Sequence, residues 1–363
     1  MNIEQDIPLA PFTSLRLGGA ARFLARCSSD EDLREALAWA AGRRLPVHVL
    51  GGGSNTIFAD AGFAGLVIHV GMRGIDIRAD GDAARVTAAA GEDWDELVVR
   101  CISEDLSGVE CLSGIPGLVG ATPMQNVGAY GQEVSESIIE VQALSRDTLE
   151  PVTFSADECR FCYRTSRFKA ADRDRFLITA VSYRLSRRRR PEIRYADVTR
   201  RLQEDGLDLE TLTPGRVASM AVRNAVIAVR RTKSMILDPA DPNARSAGSF
   251  FLNPVLTPEQ LTRVRQGWQA RGQEASLLPA YATNNGLHKV PAAWLVEQAG
   301  FTRGTRRGQA GISANHALAL VSHGDSAADL LALAALVTAA VRDLFGVTLE
   351  REPVYVAPGE QHS

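Results

Sequence analysis

Apolar residues recur at helical spacing in some stretches of this chain and at strand spacing in others. Leu33, Ala36, Leu37 and Ala40 keep the three-and-four rhythm of one helical face, and Ser28 with Glu31 ahead of them forms a capping-box pattern. "RLPVHVL" then reads as a strand and runs straight into "GGGSNTIFAD", while "GLVIHV" is a short apolar run of the buried kind. The beginning of the chain therefore predicts a small α/β unit whose glycine-rich turn lies at the C-terminal end of a strand.

Further along, "ARVTAAA" at 84–90 predicts a strand, and Asp93 to Ile102 a short helix carrying Trp94, Leu97 and Val98. "SIIEVQALS" and "FLITAVSYRLS" have strand character on either side of "CRFCYRTSRFK". Val217 to Arg231 and Pro258 to Arg271 are periodic at helical spacing, and "PAAWLVEQAG" is a helix stopped by Gly300. Ser326 caps a helix with apolar positions at Leu330, Leu333, Ala334, Val337, Val341 and Leu344. The closing "VTLEREPVYV" alternates like a strand that returns to complete an early sheet. No internal repeat interrupts this series.

Residues 112–134, "LSGIPGLVGATPMQNVGAYGQEV", hold too many glycines and prolines for a helix or a central strand. Ordered loops of that length are usually functional. Its apolar members, Ile115, Leu118, Val119 and Val127, argue against a mobile surface loop.

The length of 363 residues suggests two or three domains. Forty basic against 43 acidic residues, a net charge of -3, leave no global field to attract nucleic acid. The only dense basic cluster, Arg187 to Arg190, reads as a solvated loop or as a local attraction for a phosphorylated ligand. Five scattered cysteines make no disulfide framework. Cys159 and Cys162 match CxxC, but no partner motif completes a zinc site, so no metal is expected and the two read as a buried or incidental thiol pair. The N-terminal stretch has no signal-peptide pattern, and the apolar run at 330–341 is too short to span a bilayer. A cytoplasmic, soluble protein is expected, and a monomer, since no coiled-coil or interface pattern appears.

Five stretches could carry chemistry. "LGGGSNTIFAD" offers Gly51, Gly52, Gly53, Ser54 and Asn55, a turn in which backbone N–H groups can approach a diphosphate. Its spacing fits neither GxGxxG nor a Walker A loop, and a plain strand-to-turn connection is the alternative. In the long loop, Ser113, Gly114 and Gly120 could supply backbone donors to a second stretch of one extended cofactor. "CYRTSRFK" contains Arg164, whose planar fork suits a carboxylate, although an exposed basic-loop arginine is the ordinary explanation. "RSAGSFFLNP" sets Ser249 between Gly248 and two phenylalanines. Strand alternation would put at most one of Phe250 and Phe251 in the core, with Ser249 on the Phe251 face. Glu350 and Glu352 would share one face of the last strand.

"LGGGSNTIFAD", "SGIPGLVGATPMQNVGAYG", "YRTSRFK", "AGSFFLNP" and "LEREP" occur here in the order seen in the UDP-N-acetylenolpyruvoylglucosamine reductase family, and the resemblance runs from about Thr13 to about Val356. "PEIRYADVT" resembles the tyrosine-bearing element of the first of that family's two types, with the tyrosine at Tyr195; the tetraarginine tract before it departs from the pattern. The resemblance implies an α+β fold: two FAD-binding domains of the vanillyl-alcohol-oxidase (PCMH) type and a third α+β substrate-binding domain. The first would take residues 1–72 with 346–363, the second 73–222 and the third, for the UDP-sugar, 223–345.

The same resemblance implies an oxidoreductase with FAD as cofactor and NADPH as reductant. It would convert UDP-N-acetylglucosamine enolpyruvate to UDP-N-acetylmuramate in peptidoglycan precursor synthesis. Hydride would pass from NADPH to flavin N5 and then to C3 of the enolpyruvyl group, and Ser249 would protonate C2. Arg164 would hold the enolpyruvyl carboxylate, with Glu352 opposite it as an acid. Tyr195, Lys233 and Asn253 would hold the sugar nucleotide diphosphate, with Arg230 nearby; Glu350 and Gln298 are placed near the site. Asn253 is alternatively a turn cap before Pro254. Another flavin oxidoreductase of this fold, or a non-catalytic nucleotide-sugar binder, remains open. "AGSFFLNP" and Tyr195 weigh against the first, and intact Arg164, Ser249 and Glu352 against the second.

Overall fold

In the computed structural model, which describes residues 1–283 and 285–359, the first helical rhythm becomes the helix Asp30–Ala41, and the four apolar residues that define it are its buried ones. Its cap lies one residue later than expected. Ser29 accepts from the Asp32 N–H, while the Ser28 N–H and hydroxyl both donate to the Asp32 carboxylate. The reason is mutual: Asp32 can serve Ser28 only if Ser29 takes the cap.

That helix connects strands of a four-stranded sheet ordered Ile3–Pro8, Ala20–Cys27, Phe63–Val70 and Val47–Leu50. The first pair is antiparallel and the other two are parallel. A second sheet is wholly antiparallel, ordered Pro151–Ser155, Ile138–Ser145, Phe176–Ser186, Ala83–Ala89 and Ile75–Asp80. One apolar core serves both sheets, with Leu66 and Ile68 of the first packed together with Val86, Val141 and Val181 of the second. Trp94, at the start of the helix Trp94–Ser103, is 1% exposed in this core, and its indole N–H donates to the Leu112 carbonyl at 3.0 Å. A buried indole needs such a partner.

A separate core unites the helices Pro258–Gln269, Ala292–Gln298 and Ala327–Phe345 with a sheet ordered Ser246–Ser249, Ala319–Ser322, Ala310–Ile312 and Arg306–Arg307. Ser326 caps the last helix by accepting from the Asp329 N–H, and Gly346 ends it at φ 67°. The helix Arg216–Thr232 runs unbroken across the expected boundary between 222 and 223, so a division there would cut a continuous hydrogen-bonded rod.

Three other expectations are corrected. Phe250 and Phe251 are both buried, at 0% and 2% exposure, with their rings edge-to-face 5.2 Å apart. Strand alternation fails because the ladder strand stops at Ser249; beyond it the Phe250 N–H turns to the Leu318 carbonyl. The closing strand is only Val354–Val356, shorter than expected, although it does return to an early strand, pairing in parallel with Thr56–Phe58. Glu350 and Glu352 therefore precede the strand; Glu350 is exposed and Glu352 is half-buried. Residues 360–363 of the expected first domain lie outside the described residues.

The arginine tract is spent on local ties. Arg187 donates to the Glu104 carbonyl, Arg188 pairs with Asp82, Arg189 with Glu192, and Arg190 donates to the Leu209 and Leu212 carbonyls. Cys159 is buried and Cys162 exposed, and both are free thiols. Among the described residues, no helix is long and apolar enough to cross a membrane.

Candidate active site

A cavity of about 950 Å³ opens where these units meet. One wall is the turn Gly51–Asn55 after the strand Val47–Leu50; opposite it runs the long loop, from Ile115 through Tyr130. The two glycine-rich stretches touch backbone to backbone. A Cβ on Gly52 would lie 2.8 Å from the Gly117 Cα, and one on Gly53, at φ 61°, would lie 1.9 Å from the Phe12 carbonyl oxygen. The Ser54 hydroxyl closes the seam by donating to the Pro116 carbonyl at 2.9 Å. Among the described residues, the N–H groups of Gly52, Gly53, Ser54 and Asn55 donate to no protein acceptor. Successive unspent N–H groups around a left-handed glycine make a concave anion cradle.

The expected donors of the long loop are a different matter. The Ser113 N–H donates to Glu110, the Gly114 N–H to the Asp95 carboxylate at 2.6 Å, and the Gly120 N–H to the Ala90 carbonyl. Gly120 lines the cavity, whereas Ser113 and Gly114 lie behind its wall. All three N–H groups are committed to the protein, so these residues shape the wall and are not its backbone donors.

Arg164, Ser249 and Glu352, separated widely in sequence, all line this cavity. Arg164 has a left-handed backbone, φ 53°, unusual for a long side chain. Its guanidinium donates to the carbonyls of Asn126 and Gly128, and its Nε lies 3.7 Å from Glu352 Oε1. Ser249 is brought in by pairing beyond its own strand: the Glu352 N–H donates to the Phe250 carbonyl at 3.0 Å, and Phe251 bridges Arg351. Burial raises the Glu352 carboxyl above the usual carboxylate range, with Arg164, Lys169 and the Gln125 amide pulling the other way. A carboxyl so placed can hold a proton where an exposed one would lose it.

At the far end of the cavity, Lys233 Nζ donates to Asp197 at 2.6 Å and lies 5.2 Å from the centre of the Tyr195 ring. Burial pulls the Lys233 pKa down, but the hydrogen bond to Asp197 and the neighbouring tyrosines outweigh it, and the net shift is upward. Tyr195 is 39% exposed at the mouth and meets Tyr130 edge-on. Arg230 is buried; one end donates to the Met235 carbonyl, and its Nε has no partner among the described residues. His316 also faces the cavity, and burial beside Lys233 and Arg303 pulls it down to about 4, so its imidazole is neutral.

Two expected residues are not in the wall. The Asn253 carboxamide oxygen accepts from the Ala292 N–H at 2.9 Å, at the start of a helix, which is the capping role. Gln298 is exposed at the far end of that helix. Three cavity residues escaped the sequence reading, Gln125, Tyr130 and His316, as did Asp197, the partner of Lys233. Tyr130, left-handed at φ 51° between glycines, had a local signal in "GAYG". Gln125 had only its place in the long loop, since its partners Asn55 and Glu352 are remote in sequence, and His316 had no signal.

An α+β fold with a backbone anion cradle, opening on a cavity lined by Arg164, Ser249 and Glu352, suits a protein that binds a phosphorylated cofactor. A family model described as "FAD binding domain" matches residues 21–148, and one described as "UDP-N-acetylenolpyruvoylglucosamine reductase, C-terminal domain" matches 239–356. The chain is 47% identical over 361 residues to the UDP-N-acetylenolpyruvoylglucosamine reductase of Thermobifida fusca, covering 98% of each chain. To that of Streptomyces avermitilis it is 43% identical, over 97% of this chain and 94% of the relative. The fold is similar to the crystal structure of the reductase from Thermus caldophilus, with a TM-score of 0.63, 23% identity, and 98% and 99% of the two chains covered. The chain belongs to the UDP-N-acetylenolpyruvoylglucosamine reductase family, FAD-dependent oxidoreductases that act on a UDP-sugar in peptidoglycan precursor synthesis.

Proposed function

We propose that this protein uses NADPH to reduce the enolpyruvyl group of UDP-N-acetylglucosamine enolpyruvate to the lactyl group of UDP-N-acetylmuramate. The observation that carries this reading is the convergence of Arg164, Ser249 and Glu352 on a cavity floored by the Gly52–Asn55 cradle. FAD, when bound, supplies the hydride relay between NADPH and C3 of the enolpyruvyl group.

The protein's share is binding, orientation and proton delivery. The unspent N–H groups of Gly52 to Asn55 suit the cofactor diphosphate, and Gly51 and Gly120 leave the wall flat beside it. Arg164 holds the enolpyruvyl carboxylate and stabilises the negative charge that develops as hydride arrives at C3. Glu352 is the acid beside that carboxylate, its carboxyl pKa raised by burial. The Ser249 hydroxyl gives its proton to C2. Lys233 and Tyr195, with Arg230 deeper in the wall, hold the diphosphate of the sugar nucleotide. The protein acts as a cytoplasmic monomer.

The test is anaerobic and spectroscopic. Purified protein carrying FAD should bleach on addition of NADPH and regain its yellow colour on addition of the enolpyruvyl sugar nucleotide. Failure to bleach would remove NADPH as the reductant. Bleaching without recovery would point to another flavin oxidoreductase activity on this fold.

A further inference from the structure

Gln125 lies at the centre of the polar contacts around Glu352, and nothing in the proposed chemistry uses it. Its carboxamide oxygen accepts from Asn55 Nδ2 at 3.2 Å and from Lys169 Nζ at 3.5 Å. Two donors converging on that oxygen fix which way round the amide sits, because the flipped amide would point its own N–H groups at both. The amide nitrogen is therefore turned to Glu352, and it donates to Oε1 at 3.0 Å. Arg164 Nε faces the same oxygen, at 3.7 Å. Both contacts fall on Oε1.

We propose that Gln125 is a positioning residue that reserves Glu352 Oε1 as an acceptor, so that the catalytic proton resides on Oε2. The inference rests on the reading of Glu352 as the acid. A protonated carboxyl oxygen is a poorer acceptor than its carbonyl partner, so protonating Oε1 would weaken its contact with Gln125 and set the proton near the Arg164 guanidinium. Protonating Oε2 disturbs neither. The clamp also joins two parts of the site, since Asn55 belongs to the cofactor cradle and holds the amide that orients the acid.

The groups facing Glu352 are Arg164 and Lys169, both cationic, and the neutral Tyr163 phenol. Gln125 stabilises the ionised form of Glu352 through its hydrogen bond. Gln125→Met keeps the length of the side chain and loses the amide. In that variant the basic limb of the pH profile for reoxidation by substrate should move to higher pH by roughly one unit, the effect of removing one hydrogen bond to an ionised acceptor. The reoxidation rate should fall, because the carboxyl is no longer held in one orientation. Gln125→Glu, which sets a like charge against Glu352, should move the limb in the same direction and further.

Both variants are checked for bound FAD by their visible spectra, and NADPH-driven bleaching is followed separately from reoxidation. A slower reaction with the limb unmoved in both variants would make Gln125 a packing residue and overturn the proposal. If the parent protein itself is not reoxidised by the enolpyruvyl sugar nucleotide, the proposed function has failed, an outcome distinct from an unmoved limb.

Discussion

The Asn55 carboxamide donates to the backbone carbonyl of Glu352 at 3.3 Å, across 297 positions of sequence. Together with the Val354 N–H bonded to the Asn55 carbonyl, it fixes the acid-bearing segment to the turn that forms the anion cradle. The proposed cofactor floor and the proposed acid are therefore one rigid unit.

Ser249→Ala removes a hydroxyl from the cavity lining. NADPH should still bleach the flavin in this variant at the parent rate. Anaerobic reoxidation by substrate should slow by about 10²–10⁴-fold, the usual range for loss of a positioned proton donor. Stopped-flow absorbance separates the two steps, and parental reoxidation would remove Ser249 from the role.

Gly53→Ala places a methyl into the Phe12 carbonyl at a left-handed backbone position. The turn must shift, at a cost of about 1–3 kcal/mol. The expected result is a lower melting temperature and protein purified with substoichiometric FAD. A variant retaining full flavin content would show that the cradle tolerates displacement.

The buried Glu352 carboxyl links stability to pH. Its pKa is raised in the folded state, so the stability it contributes is complete below the ordinary carboxylate pKa and is lost as pH rises through the folded value. Glu352→Gln has no such loss. Its melting temperature should gain on the parent steadily as pH rises past the usual carboxylate range; a gap constant with pH would mean that Glu352 titrates normally. Reoxidation in the parent should decline over the same interval.

Lys233→Met takes away the cation at the mouth while keeping the length of the side chain. Steady-state kinetics should show KM for the sugar nucleotide raised roughly 10–100-fold with kcat changed much less, the signature of lost ground-state binding. An equal fall in kcat and kcat/KM would place Lys233 in the chemical step instead.

Periodic signals in the sequence located the secondary structure well. The face of Asp30–Ala41, the strands on either side of "CRFCYRTSRFK" and the Ser326 cap are local properties, carried by residues two to four apart. Two buried neighbours, Phe250 and Phe251, escaped because the strand ends one residue earlier and a second segment, 350–352, covers the other side. The same pairing makes the site: it brings the stretches that carry Ser249 and Glu352 to one cavity, and no periodicity encodes a contact between those two stretches. For Ser113, Gly114 and Gly120, composition signalled a loop that approaches something closely. It did not signal that their N–H groups were already taken by Glu110, Asp95 and Ala90.

Where Gly52 meets Gly117 there is main chain against main chain, with no side chain between to act as padding. A joint of that kind cannot be adjusted by changing rotamers. Sliding the turn past the long loop would lift one backbone off the other and break the Ser54 tie, so the spacing of these two walls is set by peptide geometry. The clearance is in effect machined into the chain. Evolution can retune the lining of this cavity one side chain at a time, but not the spacing of its floor.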